Sequence, residues 1–183
     1  MDIHKAEQAV AMLLEAIGED PNRDGLKNTP KRVAKMYEEV TNGMHQTPDE
    51  HLRVVFDATD SDVVLQKDIA FHSLCEHHLL PFFGRIHIAY LPKDKVVGLS
   101  KLSRVVEVFA RRLQIQERLT SQIADAISEG LDTRGVLVVC EAEHTCITMR
   151  GIKKIGTKTV TMHATGVFRE NYDLRREVLD LIK

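Results

Sequence analysis

Cys75-Glu76-His77-His78 sets a thiol and an imidazole three residues apart, a spacing at which two side chains of one loop can meet the same tetrahedral ion. Two ligands do not make a metal site, so others must come from elsewhere in the chain. His144-Thr145-Cys146 offers them: on an extended strand, residues two apart point to one face, and either or both could reach the loop. Thiolates with imidazole select zinc over calcium or magnesium. If Cys75, His78 and Cys146 are the ligands, the fourth tetrahedral position is left to water, the arrangement of a catalytic zinc. His77 and His144 then remain beside it as free bases. Cys140 shares strand parity with Val136, Val138 and Ala142 and reads as a small core residue. As a fourth ligand it would close the site.

A second group of residues suits an anion. Ser100 follows Gly98-Leu99 and opens a helical pattern, where its hydroxyl would cap the helix and the free N–H groups behind it would form an anion pocket. Lys101 and Arg104 follow at a position where the helix dipole disfavours cations. A polyphosphate explains them better than helix stability does, against the alternative of a solvated basic face continued by Arg111 and Arg112. Arg150 would lie about 13 Å along a regular strand from Cys146 and could bridge metal and phosphate. Gln116-Glu117 begins the next helix. A carboxylate can accept both N–H donors of a guanine edge, although Glu117 alone would read as an ordinary first-turn acid.

The elements that must position these groups follow from hydrophobic periodicity. Helices are expected over about 5–17 and, with Thr29 as N-cap and Pro30 at the first helical position, over about 30–42. Residues 43–61, with Gly43, Pro48 and Asp60, read as a loop containing at most one helical turn. Strands are expected over 62–73 and 84–91 with the Cys-Glu-His-His tetrad on their connection, and Pro92–Val97 reads as a turn. Two helices follow, about 100–113 and 117–131, then a long strand 135–149, another over 160–168 and a short C-terminal helix around Leu174, Val178 and Leu181. This order implies an α+β protein with an antiparallel sheet. The N-terminal helical region is taken as 1–50 and the catalytic domain as 51–183.

At 183 residues the chain can bury a sizeable core without disulfides, and three cysteines suit a reducing compartment better than a disulfide framework. Lys+Arg 25 against Asp+Glu 27 leaves a net charge of −2, so no global field recruits nucleic acid or an anionic membrane, and an anion must be held locally. Neither a leader peptide nor a long apolar run is evident, so a cytoplasmic location is expected.

Five stretches together resemble the GTP cyclohydrolase I family: Thr29-Pro30-Lys31-Arg32-Val33-Ala34, Cys75 to Phe82, Gly98 to Leu102, Gln116 to Thr120, and His144 to Gly151. The resemblance implies a tunnelling fold of ββααββ units closing into an oligomeric β-barrel, a homodecamer with active sites between subunits, and conversion of GTP and water to formate and 7,8-dihydroneopterin triphosphate. It implies one zinc per subunit on Cys75, His78 and Cys146, with His77 as the acid/base toward the purine ring and His144 as a second catalytic histidine. Ser100, Lys101, Arg104 and Arg150 would contact ribose and triphosphate, with Ser100 grouped among the catalytic side chains. Arg32 would act across a subunit boundary, and Gln116 with Glu117 would recognise guanine. A zinc nucleoside deaminase is excluded because His-x-Glu and Pro-Cys-x-x-Cys are both missing. A non-catalytic, zinc-stabilised nucleotide-binding protein is the remaining alternative.

Overall fold

A computed structural model describes residues 1–58 and 62–183, so Asp60 of the expected loop lies outside the described residues. The chain divides into two compact units, Met1–Asn42 and Gly43–Lys183. The first contains α1 (Ile3–Ala16) packed on α2 (Thr29–Val40). Asp2 caps α1 by accepting the Lys5 N–H at 2.9 Å, and Gly18 follows the helix at φ 88°, where glycine carries no Cβ penalty. Thr29 is already helical in α2, and Asn28 takes the cap position without a side-chain hydrogen bond.

After a 3₁₀ turn at Asn42–His45, the second unit runs α3 (Asp49–Leu52), β1 (Val55–Asp57), β2 (Val64–Cys75), β3 (Pro81–Leu91), β4 (Lys95–Val97), α4 (Leu99–Ala110), β5 (Leu113–Gln114) and α5 (Gln116–Gly130). It ends with β6 (Gly135–His144), α6 (Thr145–Thr148), β7 (Lys158–Ala164), α7 (Val167–Glu170) and α8 (Tyr172–Ile182). The α+β class and the β2-β3-α4-α5-β6-β7 order are as expected. The five-stranded sheet has the order β5-β2-β3-β6-β7 and is antiparallel except where the two-residue β5 pairs parallel with β2. β5 was not foreseen because two residues carry no periodic signal. The same holds for β1 and β4, which pair antiparallel across segments expected to be a loop and a turn. Tyr90 ties this ribbon to the core by accepting the Val97 N–H on its hydroxyl at 3.2 Å.

Alternation along the central strands builds two apolar layers. Ile86, Ile88 and Tyr90 of β3 and Val136, Val138 and Cys140 of β6 pack with Leu102, Val106 and Phe109 of α4 and Leu119, Ile123 and Ile127 of α5. On the opposite face Ala89, Leu91, Leu137 and Val139 meet Phe168 of α7 and Val178 of α8. β6 is thus buried on both faces along most of its length, which is why it reads as a continuous apolar run.

A bulge in β2 between Gln66 and Ile69 lies opposite a buried titratable group on β3, His87. Asp68 sits there at φ 61° and donates its backbone N–H to Nδ1 of His87 at 3.2 Å. His87 is 8% exposed, and burial holds its pKa below the ordinary imidazole value, with Asp68 opposing that shift. Nδ1 can accept only while the ring is neutral there. The unfolded chain therefore binds this proton more readily, so the stability contributed is complete above about pH 6.5 and is lost as pH falls below that value. Chemical denaturation at about pH 7.5 and about pH 5 is expected to show a larger fall for the wild type than for His87→Gln, and equal falls would remove His87 from the account.

Candidate metal centre and active site

β2 and β6 both run antiparallel to β3, so they are parallel to each other and end at the same edge of the sheet, two strand spacings or about 9.5 Å apart. Cys75 is the last residue of β2 rather than part of the connection, and the turn Glu76–Leu79 folds back over that edge with Leu79 at φ 54° and its N–H on the Cys75 carbonyl at 2.8 Å. On the other side, the strand expected to run to 149 stops at His144 and α6 begins. The Thr145 hydroxyl donates to the Pro81 carbonyl at 2.6 Å, across the start of β3, which draws this turn toward the β2 end. Cys146 is thus delivered by a helical turn and not by strand alternation.

The ligand atoms of Cys75, His78 and Cys146 lie within 4.8 Å of one another, making a possible metal-binding group. The donor set fits a soft dication: two sulfurs and an imidazole nitrogen converge, with Cys75 6% exposed. Burial and the adjacent Cys75 sulfur push the Cys146 thiol above its ordinary pKa, a penalty on charging both sulfurs that a cation between them would offset. Cys140 does not join the group. It is wholly buried, its thiol is pushed up to about 12 by that burial, and its sulfur is engaged with the hydroxyls of Thr120 and Thr161.

His77 projects from the same turn with Nδ1 3.7 Å from the Cys75 sulfur. Arg150, displaced from its expected strand position, lies beyond α6 with Nη1 3.0 Å from Nε2 of His78, at the rim of the metal group. His144 pairs in register with Phe82, and their rings stack at 4.6 Å between centroids and 4° between planes. Burial lowers the pKa of His144, with Glu117 acting in the opposite sense.

α5 starts at this edge because β5 runs parallel to β2 and ends beside Cys75. Glu117 is exposed in its first turn, whereas Gln116 is 2% exposed and hydrogen-bonded to the sheet. On α4, Gly98 takes the cap position, so Ser100 is the second helical residue and not the cap expected of it. Ser100 and Arg104 are exposed, one helical turn apart, with Lys101 half-buried beside them. Among the described residues the side chains of Lys101 and Arg104 have no hydrogen-bond or ion-pair partner. Arg111 pairs with Glu107, and Arg112 donates to the Val108 and Gln46 carbonyls, so the supposed continuous basic face is divided. Arg32 is exposed on α2 in the first unit.

Two supporting residues, Arg118 and Gln114, are not singled out by the sequence. Arg118 donates to the Glu76 carboxylate and holds its pKa down, and also donates to Gln114 Oε1 at 3.0 Å and the Leu113 carbonyl at 3.1 Å. Gln114 in turn accepts the Glu76 N–H on its own carbonyl at 3.0 Å. The metal turn is thereby braced to β5 and α5. Only the four-residue spacing of Gln114 and Arg118 hinted at their contact.

The family model for GTP cyclohydrolase I matches residues 6–183. Curated relatives named GTP cyclohydrolase 1 are 61% identical over 183 residues in Carboxydothermus hydrogenoformans, covering all of this chain and 95% of the relative, and 56% identical over 183 residues in Clostridium kluyveri, covering all of this chain and 99% of the relative. The protein of that name from Bacillus subtilis is 59% identical over 178 residues, covering 97% of this chain and 94% of the relative. The chain belongs to the GTP cyclohydrolase I family, and its ββααββ unit has that family's tunnelling fold. No helix among the described residues is long and apolar enough to cross a membrane.

The two thiol environments give a direct test. Elemental analysis is expected to find a single divalent metal per chain in the wild type and in Cys140→Ala, and none in Cys146→Ala. Full metal content in Cys146→Ala would remove it from the ligand set.

Proposed function

We propose that the protein hydrolyses the imidazole ring of GTP, releasing formate and forming 7,8-dihydroneopterin triphosphate. The observation that carries this reading is the convergence, at one edge of the sheet, of the Cys75–His78–Cys146 group with two further histidines and the exposed carboxylate of Glu117. Zinc held by those three residues would lower the pKa of a bound water toward 7.

The chain's own groups supply the rest. In this reading His77, whose ring lies beside the Cys75 sulfur, delivers a proton to the purine ring nitrogen as the ring opens, and His144 serves as a second acid/base. Glu117 accepts from the N–H donors of guanine, favoured over adenine because adenine lacks that pair of donors on its edge. Lys101 and Arg104, which have no hydrogen-bond or ion-pair partner among the described residues, and Arg150 at the rim of the metal group hold the triphosphate, with Ser100 on the ribose-phosphate side. The triphosphate does not react, so this binding supplies orientation for chemistry at the base. Arg32 acts in the site of a neighbouring subunit of a homodecamer, and the enzyme works in the cytoplasm.

Incubating the purified, zinc-replete protein with GTP should yield a pterin chromophore and formate. Chelation should end turnover while the circular-dichroism spectrum is largely retained. Unfolding on chelation with no turnover beforehand would instead indicate a zinc-stabilised binding protein. Glu117→Ala is expected to lower the preference for GTP over ATP by about tenfold or more, and an unchanged preference would discredit its role.

A further inference from the structure

We infer that Arg118 is a positioning residue for the metal group: through the carboxylate of Glu76 it sets where the turn carrying His78 stands beside Cys75, and so how firmly the ion is kept. The inference deepens the metal assignment made above and rests on it. Glu76 is the one member of the Cys-Glu-His-His tetrad to which neither metal binding nor proton transfer gives a task. It lies between two ligands in the chain, and its carboxylate is taken up by Arg118.

The turn's own bonds fix its shape but not its place. The N–H groups of His78 and Leu79 both reach the Cys75 carbonyl, at 3.4 and 2.8 Å, and the Cys75 N–H reaches the Leu80 carbonyl at 2.8 Å. All of these close the hairpin on itself. Among the described residues, three hydrogen bonds tie Glu76–Leu79 to the rest of the fold: the Glu76 N–H to the Gln114 carbonyl at 3.0 Å, Arg118 to the Glu76 carboxylate, and the contact of Arg150 with His78. Two of the three belong to Glu76.

An arginine suits this position because its planar fork meets three acceptors at once. Nη2 donates to the Glu76 carboxylate and to the Leu113 carbonyl, and Nε donates to Gln114 Oε1. Gln114 is 1% exposed, and its amide nitrogen donates in turn to the Phe109 carbonyl at 3.0 Å and to Gln122 Oε1 at 2.9 Å. A run of bonds thus leads from the metal turn to the last turn of α4 and the second turn of α5. The single nitrogen of a lysine could not span Glu76 and Gln114 in this way. Both members of the Arg118–Glu76 pair are more than a third exposed or close to it, so the pair adds little to global stability. Its effect falls on the ligands, where an outer partner commonly changes metal affinity by about ten- to a hundredfold. Glu117, the neighbour of Arg118 on the same turn, remains exposed, so bracing the metal turn and recognising the base do not compete for one side chain.

The test reads zinc release from the zinc-loaded protein into an excess of a chromophoric chelator, with no GTP present. Arg118→Met is expected to release zinc about tenfold or more faster than the wild type, and Arg118→Lys, which keeps the charge without the fork, to follow it. The double variant Arg118→Met/Glu76→Ala should release zinc within about twofold of Arg118→Met alone, because both changes remove one contact. The metal-free proteins should unfold within about 4 °C of one another. Release from Arg118→Met at the wild-type rate, or effects that multiply in the double variant, would overturn the inference. So would a metal-free midpoint that falls by more than this, which would make Arg118 a general stabiliser of the fold. Should Arg118→Met not fold, Glu76→Ala carries the test, and release at the wild-type rate there would overturn the inference. Turnover of GTP by the wild type checks the functional reading separately: a wild type that leaves GTP intact fails that reading, while faster zinc release from the variants still upholds the role of Arg118.

Discussion

The site depends on a constraint of sheet geometry: two strands flanking a third that is antiparallel to both must finish at the same edge. β2 and β6 stand in that relation across β3, and β5 joins the same direction on the far side of β2. Residues separated by some seventy positions in the chain are thereby brought to one line, with only a few ångströms left for the turns to close. Each turn closes its part with local hydrogen bonds, Leu79 N–H to Cys75 on one side and Thr145 to Pro81 on the other. Because the strands are buried by the helix pair on one face, the edge they present is set by the packing of the core and not by flexible loops.

Environment separates three cysteines of identical chemistry into two kinds. Cys140 points into the layer between sheet and helices, where no counter-charge reaches it and the thiol stays protonated. Cys75 and Cys146 lie close together, where burial and the neighbouring Cys75 sulfur raise the Cys146 thiol above its ordinary value, a penalty that a cation between the two sulfurs would offset. The same contrast divides the basic residues. Arg111, Arg112 and Arg118 are paired with groups of the fold, while Lys101 and Arg104 have no such partner among the described residues.

Polar groups inside the fold carry the connection between stability and chemistry. Gln116, Thr120 and Thr161 satisfy one another and the backbone around them, and the one acceptor left over is spent on a histidine. Arg118 performs a comparable service for the metal turn through Glu76. Fully satisfied networks of this kind fix orientation because every alternative leaves a donor or acceptor unpaired.

Read alone, the amino-acid sequence determined the helices with strong periodicity, the central strands, the core placement of Cys140 and the three residues, Cys75, His78 and Cys146, that converge into a possible metal-binding group. Those properties are local or pairwise: periodicity follows from backbone geometry, and donor chemistry from side-chain type. Tertiary structure decided where β6 gives way to a helical turn, which side of that turn presents Cys146, the existence of β5, and the distance between Arg150 and the metal group. It also decided that Gln116 faces inward while Glu117 faces out, a distinction between adjacent polar residues that no spacing rule contains. The physical reason is that these features are set by hydrogen bonds between strands and helices far apart in the chain, and such bonds leave no period in the sequence.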